Sequence, residues 1–144
     1  MKAEILSVGT ELLLGQIVDT NAAYIARRLA ELGITLYRKT TIGDNLARAS
    51  AAVREALQRA DVVIATGGLG PTEDDLTREA VADALSVRLV ESPEVLASLA
   101  RFFGARGACM TENNRRQASC PEPGAGRLIP NPMGTAPGVL FESG

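Results

Sequence analysis

From Met1 to Leu85 the chain alternates between two hydrophobic periods. Short aliphatic runs give way to longer stretches whose apolar positions recur every three or four residues. The short runs are Ile5-Leu6-Ser7-Val8, the extended segment ITLYRKTTI from Ile34 to Ile42, and Val62-Val63-Ile64-Ala65. Each predicts a strand, and the last, rich in β-branched residues, suits one buried on both faces of a parallel sheet. The first helical stretch starts at Asp19-Thr20-Asn21, runs to about Leu32, and places Ala22, Ile25, Leu29 and Leu32 on one face, with Gly33 set to end it. A second runs from Leu46 to Ala60, with Asp44 or Asn45 as its cap and Leu46, Ala49, Val53, Leu57 and Ala60 inward. A third runs from Asp75 to Leu85 with Leu76, Ala80, Val81, Ala84 and Leu85 inward. Strands separated by helices of this length predict β-α-β units, an α/β fold and a mostly parallel sheet.

Beyond Leu85 the pattern is less regular. Val87 to Glu91 reads as a short strand, and Ser92-Pro93-Glu94 starts a helix whose buried face is Val95, Leu96, Leu99, Phe102 and Phe103. Thr111 to Ala118, TENNRRQA, reads as a brief polar helix. From Pro121 to Gly138 lie five of the seven prolines and four glycines, which exclude a regular helix or an interior strand and predict a long loop. Val139 to Glu142 reads as a final strand.

The stretch DVVIATGGLGPTEDD, Asp61 to Asp75, carries the strongest chemical signal. A strand enters a turn made of Gly67, Gly68 and Gly70, and a helix leaves it, with Thr72 placed to cap and Asp75 in the capping-box position. Backbone amides in such a turn approach a phosphate closely. Asp74 and Asp75 would repel a bare phosphate, so a divalent cation between them and the phosphate oxygens reconciles the two features. In parallel sheets ligands bind beyond the carboxyl ends of the strands. Those ends are Gly9-Thr10-Glu11, Gly43-Asp44-Asn45 and Thr66-Gly67-Gly68, each joining glycine to a polar or acidic residue. Taken singly, Asp19 and Asp44 read equally well as plain helix caps, and Asn113 to Arg116 as a solvated face.

Composition narrows the chemistry. The 144 residues fit one domain, with 46% hydrophobic and 22% charged residues. A net charge of -2 and only 3% aromatics argue against nucleic-acid binding. Histidine is absent, which excludes imidazole-paired nucleophiles and histidine-held zinc and leaves carboxylates and metal-bound water. Cys109 and Cys120 are too far apart for a CxxC motif and read as reduced thiols of a cytoplasmic protein. Glu4 and Glu11 interrupt the apolar N-terminus, so it is neither a secretory signal nor a membrane span.

Three ordered motifs, GTELLLGQIVDTN at Gly9 to Asn21, TGGLGPTEDD at Thr66 to Asp75, and TENNRRQA followed by NPMGTAPG, resemble the N-terminal domain of the competence/damage-inducible CinA family. That domain belongs to the molybdopterin-binding superfamily. The resemblance implies a three-layer α/β/α fold and, for CinA-type domains, hydrolysis of the pyrophosphate of ADP-ribose with a divalent metal, Mg or Co. The alternatives are a molybdopterin or other pterin phosphate as ligand, or a non-catalytic nucleotide-binding module. The resemblance further implies a role for Asp44 and Asp75; read with the residues around them, Asp44, Asp74 and Asp75 are the catalytic candidates, and Asp74 and Asp75 with Glu11 or Asp44 would hold the metal. Thr10, Glu11, Asn21, Thr66, Gly67, Gly68, Gly70, Thr72, Asn113, Arg115, Arg116, Gly134 and Thr135 would hold substrate or phosphate. Relatives form homo-oligomers, so a dimer or trimer is expected. Against the family pattern, the chain is expected to be one domain, residues 1–144, that ends before an LPGxP-type segment and lacks an amidase domain.

Overall fold

The computed structural model describes residues 1–142. The expected end point at Gly144 lies outside the described residues.

Strand β1 (Lys2–Val8) is the central element because every residue from Ala3 to Val8 is buried. It pairs in parallel with β2 (Thr35–Ile42) on one side and β3 (Val62–Thr66) on the other, giving the order β2-β1-β3. Alternate side chains of β1 leave on opposite faces, so both faces need cover. Ala3 and Ile5 pack on Ala22 and Leu29, while Leu6 packs with Ile42, Ala49, Val53, Ala56 and Ala80. The first cover is α2 (Thr20–Glu31), which follows the single turn α1 (Thr10–Leu13). The second is α3 (Leu46–Leu57) together with α4 (Thr77–Leu85). The layers are therefore helix, parallel sheet and helices, as expected.

The remainder forms a smaller body. Strand β4 (Leu89–Glu91) leads to α5 (Pro93–Gly104), which Ser92 caps through the Val95 amide at 3.3 Å. Then come α6 (Glu112–Arg115), a 3-10 turn at Arg116–Ala118, and β5 (Ser119–Pro121), antiparallel to β4. Val95, Leu99, Ala118 and Cys120 make its core, and Phe103 packs at the edge. Both cysteines are free thiols, Cys109 exposed and Cys120 buried. No helix among the described residues is long and apolar enough to cross a membrane.

Three expectations are corrected. The loop from Pro121 to Gly138 contains β6 (Gly126–Ile129), antiparallel to β7 (Gly138–Phe141). Residues 126–129 lie between Pro123 and Pro130 and contain no proline, so their amides are free to pair. Leu32 and Leu46, expected inward, are 68% and 41% exposed. Leu32 is the C-cap of α2 and Leu46 the first residue of α3, so both stand at helix ends. The third helix begins at Thr77 and not at Asp75. The Asp75 carboxylate accepts from the Thr72 amide (2.9 Å) and hydroxyl (2.5 Å), closing a turn of its own, so Thr72 caps nothing.

Candidate functional site

The three strand ends meet. Beyond β1 and β2 a reciprocal pair forms: the Thr10 amide donates to the Asp44 carboxylate (2.8 Å), and the Asp44 amide donates to the Thr10 hydroxyl (3.0 Å). This divides the work between the two candidate caps, because Asn45 caps α3 by accepting from the Arg48 amide at 3.0 Å. The Asn21 side-chain amide reaches the Thr66 hydroxyl at 3.5 Å, linking the start of α2 to the end of β3. The Glu11 carboxylate lies so close over Gly9 that a Cβ there would stand 2.6 Å from its Oε1.

Sequence reasoning missed Ser7 as part of this end of the sheet. Its hydroxyl donates to Asp19, which also caps α2 by accepting from the Ala22 amide at 2.9 Å. Burial pushes the Asp19 carboxyl up, but the Ser7 hydroxyl, the Ala22 amide and Lys39 outweigh it and leave the pKa below the usual carboxylate value. Ser7 sits inside an apolar run, where no periodicity separates a functional hydroxyl from a tolerated one.

The glycine loop runs from Gly67 to Leu76, and its carbonyls are tied down one after another. Gly67 carbonyl accepts from the Thr77 hydroxyl (2.7 Å), Gly68 carbonyl from the Thr77 amide (3.1 Å), and Leu69 carbonyl from the Arg78 guanidinium (3.4 Å). Thr72 carbonyl accepts from Arg116 at 2.8 Å. Among the described residues no hydrogen bond occupies the Gly68 and Leu69 amides. Gly67 must be glycine: its φ is +88°, and a Cβ would lie 2.0 Å from the Val8 carbonyl oxygen. At Gly70 a Cβ would meet the Asp75 carboxylate at 2.6 Å. Burial pushes the Asp75 carboxyl up, but the Thr72 hydroxyl, the Thr72 and Gly70 amides and Arg78 together hold it below the usual range.

The other expected residues fall into two groups. Arg115 forms a two-pronged ion pair with Glu91 (2.8 and 3.2 Å) and stands 3.7 Å from Glu112. Arg116 spends its guanidinium on Thr72 carbonyl and Glu79. With Asn113 they line a polar cavity of about 330 Å³. Gly134 and Thr135 lie apart, in a turn where Asn131 accepts from the Met133 and Gly134 amides. A larger apolar cavity of about 580 Å³ runs along the open edge of β3 beneath β7 and includes Leu69 of the glycine loop.

The structure does not gather Asp74, Asp75 and Glu11 into one group of three. Among the described residues no three Asp, Glu, Cys or His side chains stand together to hold an ion. Asp75 is engaged by Thr72, whereas Asp74 is exposed and makes no hydrogen bond among the described residues.

A parallel α/β domain with a glycine loop and polar strand ends on one rim defines a small-molecule-binding class. A family model described as "Probable molybdopterin binding domain" matches residues 4–144. The CinA-like protein of Dictyoglomus thermophilum is 54% identical over 144 residues, covering 100% of this chain and 34% of that protein. That of Deinococcus radiodurans is 59% identical over 136 residues, covering 94% and 33%. The crystal structure of the protein CinA, of unknown function, from Thermoplasma acidophilum superposes with a TM-score of 0.91 at 35% identity, covering 100% of this chain and 84% of that one. The molybdopterin biosynthesis enzyme MoaB of Thermus thermophilus gives 0.55 at 25%, covering 76% and 67%. The chain belongs to the molybdopterin-binding domain family, and within it to the CinA-like proteins. It spans about a third of the length of the curated relatives it matches.

Proposed function

We propose that the chain binds a phosphate-bearing small molecule at the glycine loop, that its ligand is a nucleotide diphosphate of the ADP-ribose class, and that it cleaves the pyrophosphate to AMP and ribose 5-phosphate. The observation that carries the reading is the loop itself. Three successive carbonyls are bonded inward, which leaves the Gly68 and Leu69 amides to receive an anion beyond the end of β3. The hydrolytic part rests on the resemblance to CinA-type domains. With no histidine in the chain, the proton of an attacking water falls to a carboxylate, and Asp74 is the aspartate of the loop without a partner. A divalent cation would enter as a companion of the diphosphate, in the way magnesium pairs one or two carboxylates with phosphate oxygens.

The test is incubation with ADP-ribose, with and without Mg²⁺ or Co²⁺, following AMP. Because Asp74 is exposed and unbonded, Asp74→Asn is expected to change stability by less than about 0.5 kcal/mol and to abolish metal-dependent AMP formation. Asp75→Ala removes the acceptor that closes the loop, so it is expected to weaken ligand binding as well as turnover. AMP formation that survives Asp74→Asn would remove that residue from the chemistry.

The family description favours a second reading, a pterin phosphate held by the same amides. Tight binding of a pterin phosphate with no AMP released from ADP-ribose would select it. Self-association as a dimer or trimer is the expected assembly, supported by the exposed apolar side chains Leu13, Leu14, Ile17 and Val18. Sedimentation of the parent chain and of Leu14→Asp reads this directly: the variant is expected to run as a monomer.

A further inference from the structure

We propose that Arg116, with Arg78 behind it, is a positioning residue of the glycine loop: it acts on the ligand through loop carbonyls and does not touch the phosphate. The inference rests on the phosphate-binding reading of that loop.

Arg78 is only 3% exposed, yet it is charged. Its Nη1 donates to the Gln117 carbonyl (2.9 Å) and its Nη2 to the Leu69 carbonyl (3.4 Å). Arg116 donates to the Thr72 carbonyl and stands 3.5 Å from Glu79 of α4. Two guanidinium groups therefore tie the loop, α4 and the 3-10 turn Arg116–Ala118 into one unit. Burying a group such as Arg78 is costly unless it is hydrogen-bonded, and its acceptors are the loop carbonyl of Leu69 and the carbonyl of Gln117. A peptide unit whose carbonyl is held inward points its amide the other way. Fixing the Leu69 and Thr72 carbonyls thus fixes the direction of the amides of Gly70 and Glu73, while Thr77 fixes those of Gly68 and Leu69. The RR pair of TENNRRQA, expected to neutralise the diphosphate directly, splits accordingly. Arg115 serves the Glu91 ion pair, and Arg116 serves the loop.

Direct and indirect action differ in what they leave behind. A side chain that contacts phosphate contributes to the salt dependence of binding, and its removal lowers the salt slope. One that holds a carbonyl contributes order in the free protein, which amide exchange reads. The experiment compares the parent chain with Arg116→Met, using ADP-ribose and inorganic pyrophosphate as probes across a salt series, with amide exchange of residues 68–73 measured without ligand. Expected are a cooperative melt, about a tenfold weaker affinity, an unchanged salt slope, and faster exchange confined to the loop. A reduced salt slope would make Arg116 a direct contact and overturn the proposal, as would unchanged loop exchange or unchanged affinity. Arg78→Lys, which keeps the charge and a single donor, is expected to show the same signature more weakly. If the parent binds neither probe, the phosphate reading fails. The exchange comparison then still decides whether Arg116 holds the loop.

Discussion

Replacing Arg59 with methionine is expected to lower stability at neutral pH, because it leaves the Glu4 carboxylate without its partner, and to reverse the sign of the Glu4 contribution to the response to acid. Glu4 lies in the middle of β1 with no exposure, and Arg59 meets it with two hydrogen bonds of 2.9 and 3.0 Å from just beyond α3. The Arg59 hydrogen bonds pull the Glu4 carboxyl below its ordinary value, against burial, with further help from the charges of Arg59 and Arg38. A carboxylate with a lowered folded-state pKa stabilises the protein fully above the unfolded value near 4.5 and loses that contribution as pH falls through the folded value. The parent should therefore weaken on acidification. Without Arg59, burial outweighs Arg38 and the Glu4 pKa rises above the unfolded value, so protonation of Glu4 then stabilises the fold and offsets part of what Asp19 and Asp75 lose in acid; the variant should lose less stability than the parent as pH falls from 7 towards 4. Urea denaturation at both pH values measures the two slopes. Equal slopes would show that Arg38 and solvent suffice for Glu4.

The second large effect is expected at Gly67. Alanine there must adopt φ near +88° and place its Cβ against the Val8 carbonyl, so β1 and β3 would have to part at their carboxyl ends. The expected loss is about 3 kcal/mol or more, from strain together with overpacking. Gly15→Ala is the control: φ is +71° but nothing lies within 4 Å of the new Cβ, so only the conformational cost of about 1–2 kcal/mol applies. Thermal melts of the two variants separate close approach from backbone strain. Equal losses would mean that the contact with Val8 relaxes freely.

The layered core was legible because its signals are repeated. β1, β2 and β3 announced themselves as aliphatic runs, and Ala22, Leu29, Ala49 and Val53 by helical spacing. The glycine loop was legible through residues that only a special backbone needs. Its detailed closure was not, because Thr72 and Asp75 fit a capping box by spacing, while the helix they were to cap begins two residues after Asp75. Arg78 was invisible for another reason. An arginine between Thr77 and Glu79 reads as solvated surface, and only the carbonyls of Leu69 and Gln117, brought close by the fold, explain its burial. Tertiary partners of that kind leave no local pattern.

The central claim is that the loop amides receive a phosphate. The most direct measurement is amide NMR of the labelled chain titrated with ADP-ribose, beside an equal titration with adenosine. Saturable shifts of the Gly68 and Leu69 amides with ADP-ribose and not with adenosine are the predicted result. Binding that shifts other amides and leaves these two unmoved would contradict it.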